Sequence, residues 1–367
     1  MSIMIKKTNG LSRDLIIHPG ETLRDILEER EMSQRELAIR TGVTEKHIST
    51  IINGLKPISV VFAKKLEYVL EVDASFWINL QSNYDKELLD FEELNNISKD
   101  EFAVLKKLKD VLEYFAKIGI LESGLSEASK VLETRKILRI SRLNNIQEVS
   151  FNGAYRASAN DCLDKYVLFA WQRLCDIKTS EIQLETELDL SKLKEKIPYI
   201  KGIMFEDALK IQEKLTKIFS ECGIAFAIVK SFTGAPVHGF IKQNESGKII
   251  LAMTIRRAYA DIFWFTLFHE IAHIINGDIK QKLLVDYSFV ENEIEKKANQ
   301  MASNILINSD SYQDFIEKED FSLPSINKFA NDQNVKNFIV IGRLQKDNYL
   351  KYSSYNGEKA RYTWAED

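Results

Sequence analysis

The stretch "FWFTLFHEIAHIINGD", Phe263 to Asp278, places two histidines and a glutamate in one of the most apolar runs of the chain. Burying an ionisable side chain without a partner costs several kcal/mol. We therefore expect something to hold these three side chains, and a metal ion is the candidate. The run is too short to span a bilayer and is interrupted by polar residues, so it predicts a buried helix of a folded domain.

The two histidines, His269 and His273, belong to a His-Glu-x-x-His pattern. On a helix, positions i and i+4 share one face, so both imidazoles can bind one ion. Glu270 would then lie where a general base reaches a metal-bound water. A catalytic zinc site has three protein ligands and an open fourth position. The pattern therefore predicts Zn²⁺ as the cofactor and requires one more ligand.

A second predicted helix, "ENEIEKKANQMASNIL", supplies that ligand as Glu295. The small residues Ala298 and Ala302 would let this helix approach the first one closely. Asn299, one turn beyond Glu295, is placed to hydrogen-bond a liganding histidine and fix its tautomer. The competing ligands are Glu291, Glu293, Asp278 and, ranked below Glu295 because it opens a strand, His238.

Composition limits the class of protein. The 367 residues are 45% hydrophobic and 28% charged, with a net charge of −4, which is typical of a globular protein. Any contact with nucleic acid must come from a local patch. Three cysteines without CxxC spacing, and no long apolar run at the start of the chain, predict a cytoplasmic protein without a membrane association.

The fold class expected is mainly α, of the α+β type, in three regions. Residues 1–90 are predicted as a helix-turn-helix domain, 91–200 as a helical connecting region, and 201–367 as the domain of the metal site. "GIAFAIVK" predicts one short strand, and "HGFIKQNESGKIILAM" predicts two strands around a turn. These strands precede the histidine helix and favour a small sheet packed against it.

"MSQRELAIRTGVTEKHISTIINGLKP" predicts the helix-turn-helix. Ser33 caps its first helix, Gly42 ends that helix, and Thr44 caps the second. Ile48 and Ile51 face inward, which leaves the opposite face for the major groove. The candidate DNA-binding residues are Gln34, Thr44, Glu45, Lys46, His47, Ser49 and Thr50. The alternative is a small helical domain that contacts only proteins.

The segment from "HPGETLRDILEE" through "INGLKPIS" to "FWINLQSNYD" resembles the HigA-type antitoxins, within the phage-repressor-like helix-turn-helix family. The resemblance implies a homodimer that binds inverted repeats in double-stranded operator DNA. It also implies repression of the protein's own promoter.

"DIFWFTLFHEIAHIINGD" followed by "EKKANQMASNIL" resembles the ImmA/IrrE zinc metallopeptidases, over about residues 200–350 and including "GRLQ" at Gly342 to Gln345. The resemblance implies a gluzincin-like endopeptidase that cleaves a repressor. It assigns His269, His273 and Glu295 as zinc ligands and Glu270 as the base. Where gluzincins commonly have aspartate, this chain has Asn299, and the ligand set survives that change.

Two further segments have two interpretations each. Ile326 to Gln345 has a faint helix-turn-helix rhythm, but a helical subdomain packed beside the metal helices is the preferred interpretation. Tyr155 to Cys175 predicts a core amphipathic helix, unless Arg156 and Trp171 form a sensor or substrate surface.

Two functions remain open on the sequence alone. The first is a DNA-binding regulator whose zinc endopeptidase domain cleaves a repressor or partner protein. The second is an antitoxin whose carboxy-terminal domain binds a toxin or ligand without proteolysis.

Overall fold

The structure is a computed structural model that describes residues 13–152, 163–244, 247–278, 283–285 and 293–364. The chain forms two compact units. Unit 1 comprises Met1–Leu105 and Leu121–Lys136, and unit 2 comprises Lys106–Ile120 and Ile137–Asp367. Residues 91–200 therefore contribute to both units.

The first eight helices of the described chain begin in the amino-terminal region. They are α1 (Pro19–Glu29), α2 (Gln34–Thr41), α3 (Glu45–Ile52), α4 (Val60–Leu70), α5 (Ala74–Asn95), α6 (Lys99–Lys107), α7 (Lys109–Lys117) and α8 (Glu127–Leu138). Of these, α1 to α5 surround one hydrophobic core and form a helical bundle.

The boundaries of α2 and α3 follow from their capping residues. The side chains of Ser33 and Thr44 each accept a hydrogen bond from the backbone N–H three residues on, as N-caps do. Gly42 ends α2 with a φ of 64°, in the left-handed region that favours glycine. Ile48 and Ile51 are fully buried. The predicted caps and inward face of the helix-turn-helix are confirmed.

Unit 2 contains α7, the remaining helices and the strands. The remaining helices are α9 (Ile146–Asn152), α10 (Lys165–Ser180), α11 (Leu190–Gly202), α12 (Ala208–Glu221), α13 (Ala260–Asn276), α14 (Glu293–Leu306), α15 (Ser309–Glu317), α16 (Leu323–Asp332) and α17 (Asn337–Lys346). The strands are β1 (Ile224–Ile228), β2 (Gly239–Gln243), β3 (Ile249–Met253) and β4 (Leu283–Val285). The expected mainly helical α+β class is confirmed.

The four strands form one sheet in the order β1-β3-β2-β4. β3 runs parallel to β1 and antiparallel to β2, and β4 runs antiparallel to β2. The predicted strand in "GIAFAIVK" is β1, and the two predicted around the turn are β2 and β3, so these three are confirmed. β4 adds a fourth strand that no sequence pattern indicated.

α13 lies in the centre of the core of unit 2. α14 packs along it, with Ala298 and Ala302 fully buried, as the small residues predicted. α16 and α17 share the same core, which supports the helical-subdomain interpretation of this segment. Trp171 on α10 is fully buried, so the surface interpretation of this residue is wrong, and Arg156 lies outside the described residues.

Within the described ranges, we find no helix that combines the length and the apolar character needed to cross a membrane.

Candidate metal centre and nucleic-acid interface

Two histidines and a glutamate converge between α13 and α14. His269 and His273 lie one turn apart with their Nε2 atoms 2.9 Å from each other. Glu295 approaches from α14, with Oε2 3.2 Å from Nε2 of His269 and Oε1 3.5 Å from Nε2 of His273. A tetrahedral zinc ion requires its ligand atoms to be about 3.3 Å apart. The three side chains therefore fit a zinc ion.

The other ring nitrogen of each histidine also has a partner. Nδ1 of His269 lies 3.1 Å from Oδ1 of Asn299, and Nδ1 of His273 lies 2.9 Å from Oδ2 of Asp278. These oxygens accept, so each Nδ1 donates and carries the proton, which leaves the Nε2 lone pairs toward the cluster. Asp278, a competing ligand in the sequence, lies on the outer side of the His273 ring.

The remaining competing ligands are not part of the cluster in the described residues. The side chain of Glu293 is 81% exposed and pairs with Lys296. His238 is buried with Nε2 3.4 Å from the Arg256 guanidinium, and burial together with nearby arginines lowers its pKa to about 4. Glu291 lies outside the described residues.

The charges of the cluster shift the pKa values of His273 and Glu295 in the direction opposite to burial. Burial alone would lower the pKa of His273, but Glu295, Glu270 and Asp278 raise it to about 9. Burial would raise the pKa of Glu295, but its contacts with both histidines lower it to about 2. Positive charge is therefore favoured between these side chains, and a divalent cation would supply it in place of a proton.

Glu270 follows His269 on α13 and is 1% exposed. Gly239, the first residue of β2, lies directly against it: a Cβ atom there would be 2.2 Å from Oε1 of Glu270. Only glycine leaves room for the carboxylate. Gly239 was not among the residues predicted from the sequence, although a glycine at the start of a strand can indicate such a close approach.

Six of the candidate DNA-binding residues lie on α3 or cap it, and Gln34 is the first residue of α2. Thr44, Glu45 and Lys46 are exposed. The other four candidates are half-buried: Gln34, His47, Ser49 and Thr50. The free face of α3 therefore carries its exposed charges in the first turn.

Local contacts hold several side chains of this face. The His47 ring packs edge-on against Phe62, with ring centroids 5.3 Å apart. The Thr50 hydroxyl donates to the His47 carbonyl oxygen at 2.8 Å. Asn53, the exposed residue that ends α3, donates from Nδ2 to Oγ of Ser49 at 3.3 Å. Asn53 is a further polar group of this face that the sequence analysis missed.

Comparison with known proteins identifies the class of the amino-terminal domain. Residues 23–77 match the helix-turn-helix family. The domain resembles HigA-type antitoxins in particular. The Pseudomonas aeruginosa antitoxin HigA, solved with the higBA promoter, is 35% identical, covering 20% of this chain and 80% of that chain with a TM-score of 0.20.

Two other solved structures are similar. A Pseudomonas aeruginosa protein in complex with its operator DNA is 36% identical, covering 20% of this chain and 81% of that chain with a TM-score of 0.20. A HigA-family antidote protein from Coxiella burnetii is 27% identical, covering 27% of this chain and 91% of that chain with a TM-score of 0.19. No curated protein matches the chain. The assignment of the candidate metal centre therefore rests on the geometry of its side chains.

Proposed function

We propose that this protein is a DNA-binding transcriptional regulator whose unit 2 is a zinc-dependent endopeptidase that cleaves a repressor or another partner protein. The observation that carries the proposal is the convergence of His269, His273 and Glu295, with Glu270 adjacent in the chain. The ligand atoms lie within 4.8 Å of one another. This donor set and an adjacent buried carboxylate are typical of zinc peptidases.

Each residue has a defined task in this proposal. His269, His273 and Glu295 would hold the zinc ion, which when bound polarises the peptide carbonyl and activates water. Glu270 accepts a proton from the attacking water and passes it to the departing amine. The water oxygen bonds to the carbonyl carbon as the carbon–nitrogen bond breaks. Asn299 and Asp278 orient the histidine rings.

Unit 1 would bring this activity to DNA. The helix-turn-helix domain resembles a HigA antitoxin that was solved with a promoter. By analogy, we propose that a homodimer of this chain binds double-stranded operator DNA through α3. A repressor bound at the same promoter would then be the natural substrate.

Proteolysis is tested with Glu270→Gln in the full chain. We expect the variant to keep its fold and zinc but to lose cleavage by several orders of magnitude, because only the proton acceptor is removed. Glu293→Gln is the matched control, since this exposed glutamate lies outside the cluster. The assay is mass spectrometry of candidate repressors and toxins from the same genome. Equal cleavage by wild type and Glu270→Gln would contradict the assignment of the base.

DNA recognition is tested with Lys46→Ala. Lys46 is exposed on α3 and would contact a base or a phosphate; losing a base contact should cost about 1–3 kcal/mol of operator affinity. Lys86→Ala, an exposed lysine on α5, is the control. Gel shifts over a salt series measure the effect, since phosphate contacts make binding weaken with salt. Equal affinity for promoter and scrambled DNA would exclude sequence-specific recognition.

The likeness to HigA antitoxins favours a second candidate function. In this alternative the chain represses its promoter and neutralises a toxin, and unit 2 binds a partner without hydrolysis. Zinc content does not separate the two functions, because both permit a bound metal. If zinc-loaded wild type leaves every candidate protein intact while Glu270→Gln regulates the promoter normally, the antitoxin function replaces the peptidase.

A further inference from the structure

A cavity of about 250 Å³ lies in unit 2 beside the helices that carry the metal centre. Its walls come from the first turns of α13, the last turn of α14 and α17, including Gly342, Arg343 and Gln345 of the "GRLQ" segment. None of the three candidate metal ligands lines it. The cavity is therefore distinct from the cluster of metal ligands.

One side of the cavity is apolar. Its members lie on or directly after three helices and are Ile262, Phe265, Leu306, Ile307 and Ile339. A wall of branched and aromatic side chains accepts a hydrophobic body of complementary size. The volume is below the range of about 300–1,000 Å³ typical for drug-sized ligands, which favours a small metabolite.

The rest of the lining is rich in positive charge. The Lys346 ammonium lies 4.6 Å from the centroid of the Phe265 ring, at the border between the apolar and charged sides. Arg343 pairs with Asp347. Arg257 is exposed, and within the described part of the chain its guanidinium makes no hydrogen bond or ion pair. An anion would neutralise this arginine.

The backbone at Arg257 is unusual. Arg257 and the next residue, Ala258, have φ values of 68° and 62°, in the left-handed region that side chains other than glycine, asparagine and aspartate rarely adopt. Two such residues in succession cost free energy, and such conformations tend to occur at functional sites. Arg257 is one of the residues that line the cavity.

The single carboxylate of the lining is already neutralised. Asp261 lies 2.6 Å from the Lys359 ammonium, and both side chains are about nine-tenths buried. Lys359 also donates to Oε1 of Gln345 at 3.1 Å. A Cβ atom at Gly342 would lie 2.5 Å from Oδ2 of Asp261, so this glycine lets the carboxylate pack against α17. The formal charge of the lining residues is therefore net positive.

We propose that this cavity binds a small monocarboxylate with an aromatic or branched apolar body. The carboxylate pairs with Arg257 and Lys346, and the apolar body packs against Phe265 and Ile339. Because the walls belong to α13 and α14, such a ligand would bind the two helices that hold the candidate metal ligands. The binding itself is independent of whether unit 2 hydrolyses peptides.

Calorimetric titration of the full chain with phenylacetate tests the proposal. We expect one saturable site per chain. The neutral analogue phenylacetamide and inorganic phosphate should each bind about tenfold more weakly or worse, because one lacks the charge and the other the apolar body. No peptide is cleaved in this assay, so its failure would leave the proposed peptidase function unaffected.

Two surface variants show where the probe binds. Arg257→Asn removes the charge with a residue that tolerates positive φ, and Lys346→Met removes the ammonium while keeping the alkyl chain. Each should weaken phenylacetate binding about tenfold. Lys336→Met is the matched control, since its ammonium lies 4.9 Å from the Phe205 ring centroid and outside the cavity. No saturable binding, equal binding of phenylacetamide, or equal loss in Lys336→Met would each overturn the proposal.

Discussion

The two histidines of the candidate metal centre differ in the hydrogen-bond partner of their Nδ1 atoms. Nδ1 of His269 faces the neutral amide of Asn299, whereas Nδ1 of His273 faces the carboxylate of Asp278. A carboxylate partner makes an imidazole more basic than an amide partner does. His273 is therefore the histidine that competes more strongly for a proton, and zinc must displace that proton to bind.

This difference predicts how the zinc-free protein responds to pH. The folded-state pKa of His273, about 9, lies above its ordinary value of 6.5. The protonated His273 therefore stabilises the folded state fully below pH 6.5, and this stabilisation is lost as pH rises toward 9. The pKa of Glu295, about 2, lies below its ordinary 4.5, so its contribution is complete above pH 4.5 and is lost as pH falls toward 2.

We therefore expect the chelator-treated protein to lose unfolding free energy between pH 6.5 and 9. Urea unfolding at a series of pH values measures this loss. His273→Ala should flatten the dependence over that range. If the unfolding free energy of His273→Ala falls with pH as steeply as that of the wild type, His273 is not the group that titrates.

Gly239 gives a second prediction about a single residue. In Gly239→Ala the new methyl group meets Oε1 of Glu270 at 2.2 Å, so unfolding free energy should fall by about 1–3 kcal/mol. Gly357→Ala is the control, because a Cβ atom at that position has no neighbour within 4 Å. Adding Glu270→Ala to Gly239→Ala should restore part of the loss in urea unfolding. Strict additivity of the two changes would refute the contact.

Among the elements, α14 determines whether Glu295 reaches the histidines. Its carboxy-terminal end is held by Lys201 of α11, whose ammonium donates to the carbonyl oxygens of Ile305 and Leu306 at 3.1 and 2.8 Å. The same ammonium donates to the Gln333 carbonyl oxygen at 2.8 Å. A cation at this end also interacts favourably with the helix dipole. Lys201 thus fixes α14 at the end opposite to the metal centre.

Lys201→Met should lower the unfolding free energy by about 2–4 kcal/mol, because three carbonyl oxygens lose a charged donor while the alkyl chain stays. Lys194→Met, an exposed position on the same helix, should leave it nearly unchanged. Denaturant midpoints of the two variants compare them directly. Equal midpoints would mean that α14 is held by packing alone.

Most of these elements could be predicted because their signals are local. The caps of α2 and α3 and the four-residue spacing of His269 and His273 depend on neighbours in the chain. The outer position of Asp278 could not be predicted, because it follows from the turn at Gly277, whose φ of 78° brings the chain back beside His273. β4 and the contact of Gly239 with Glu270 depend on distant segments that meet only in the folded unit.

The proposed DNA binding and the proposed hydrolysis belong to two units with separate hydrophobic cores. The helix-turn-helix contributes to the hydrophobic core of unit 1, and α13 contributes to the core of unit 2. A ligand that binds only one folded unit stabilises only that unit. Zinc should therefore act on the stability of unit 2.

Scanning calorimetry of the full chain checks this separation. Chelation should lower the temperature of one unfolding transition, and operator DNA should raise that of the other. A single transition that responds equally to chelator and to DNA would contradict independent units.

Elemental analysis of the purified chain measures whether His269, His273 and Glu295 hold one zinc ion. We expect about one zinc per chain in the wild type and in Glu270→Gln. We expect it to be lost in His269→Ala, His273→Ala and Glu295→Gln, while the exposed control Glu293→Gln retains it. Zinc retained in Glu295→Gln at the wild-type affinity, or absent from the wild type after zinc reconstitution, would show that these three residues do not form the zinc site.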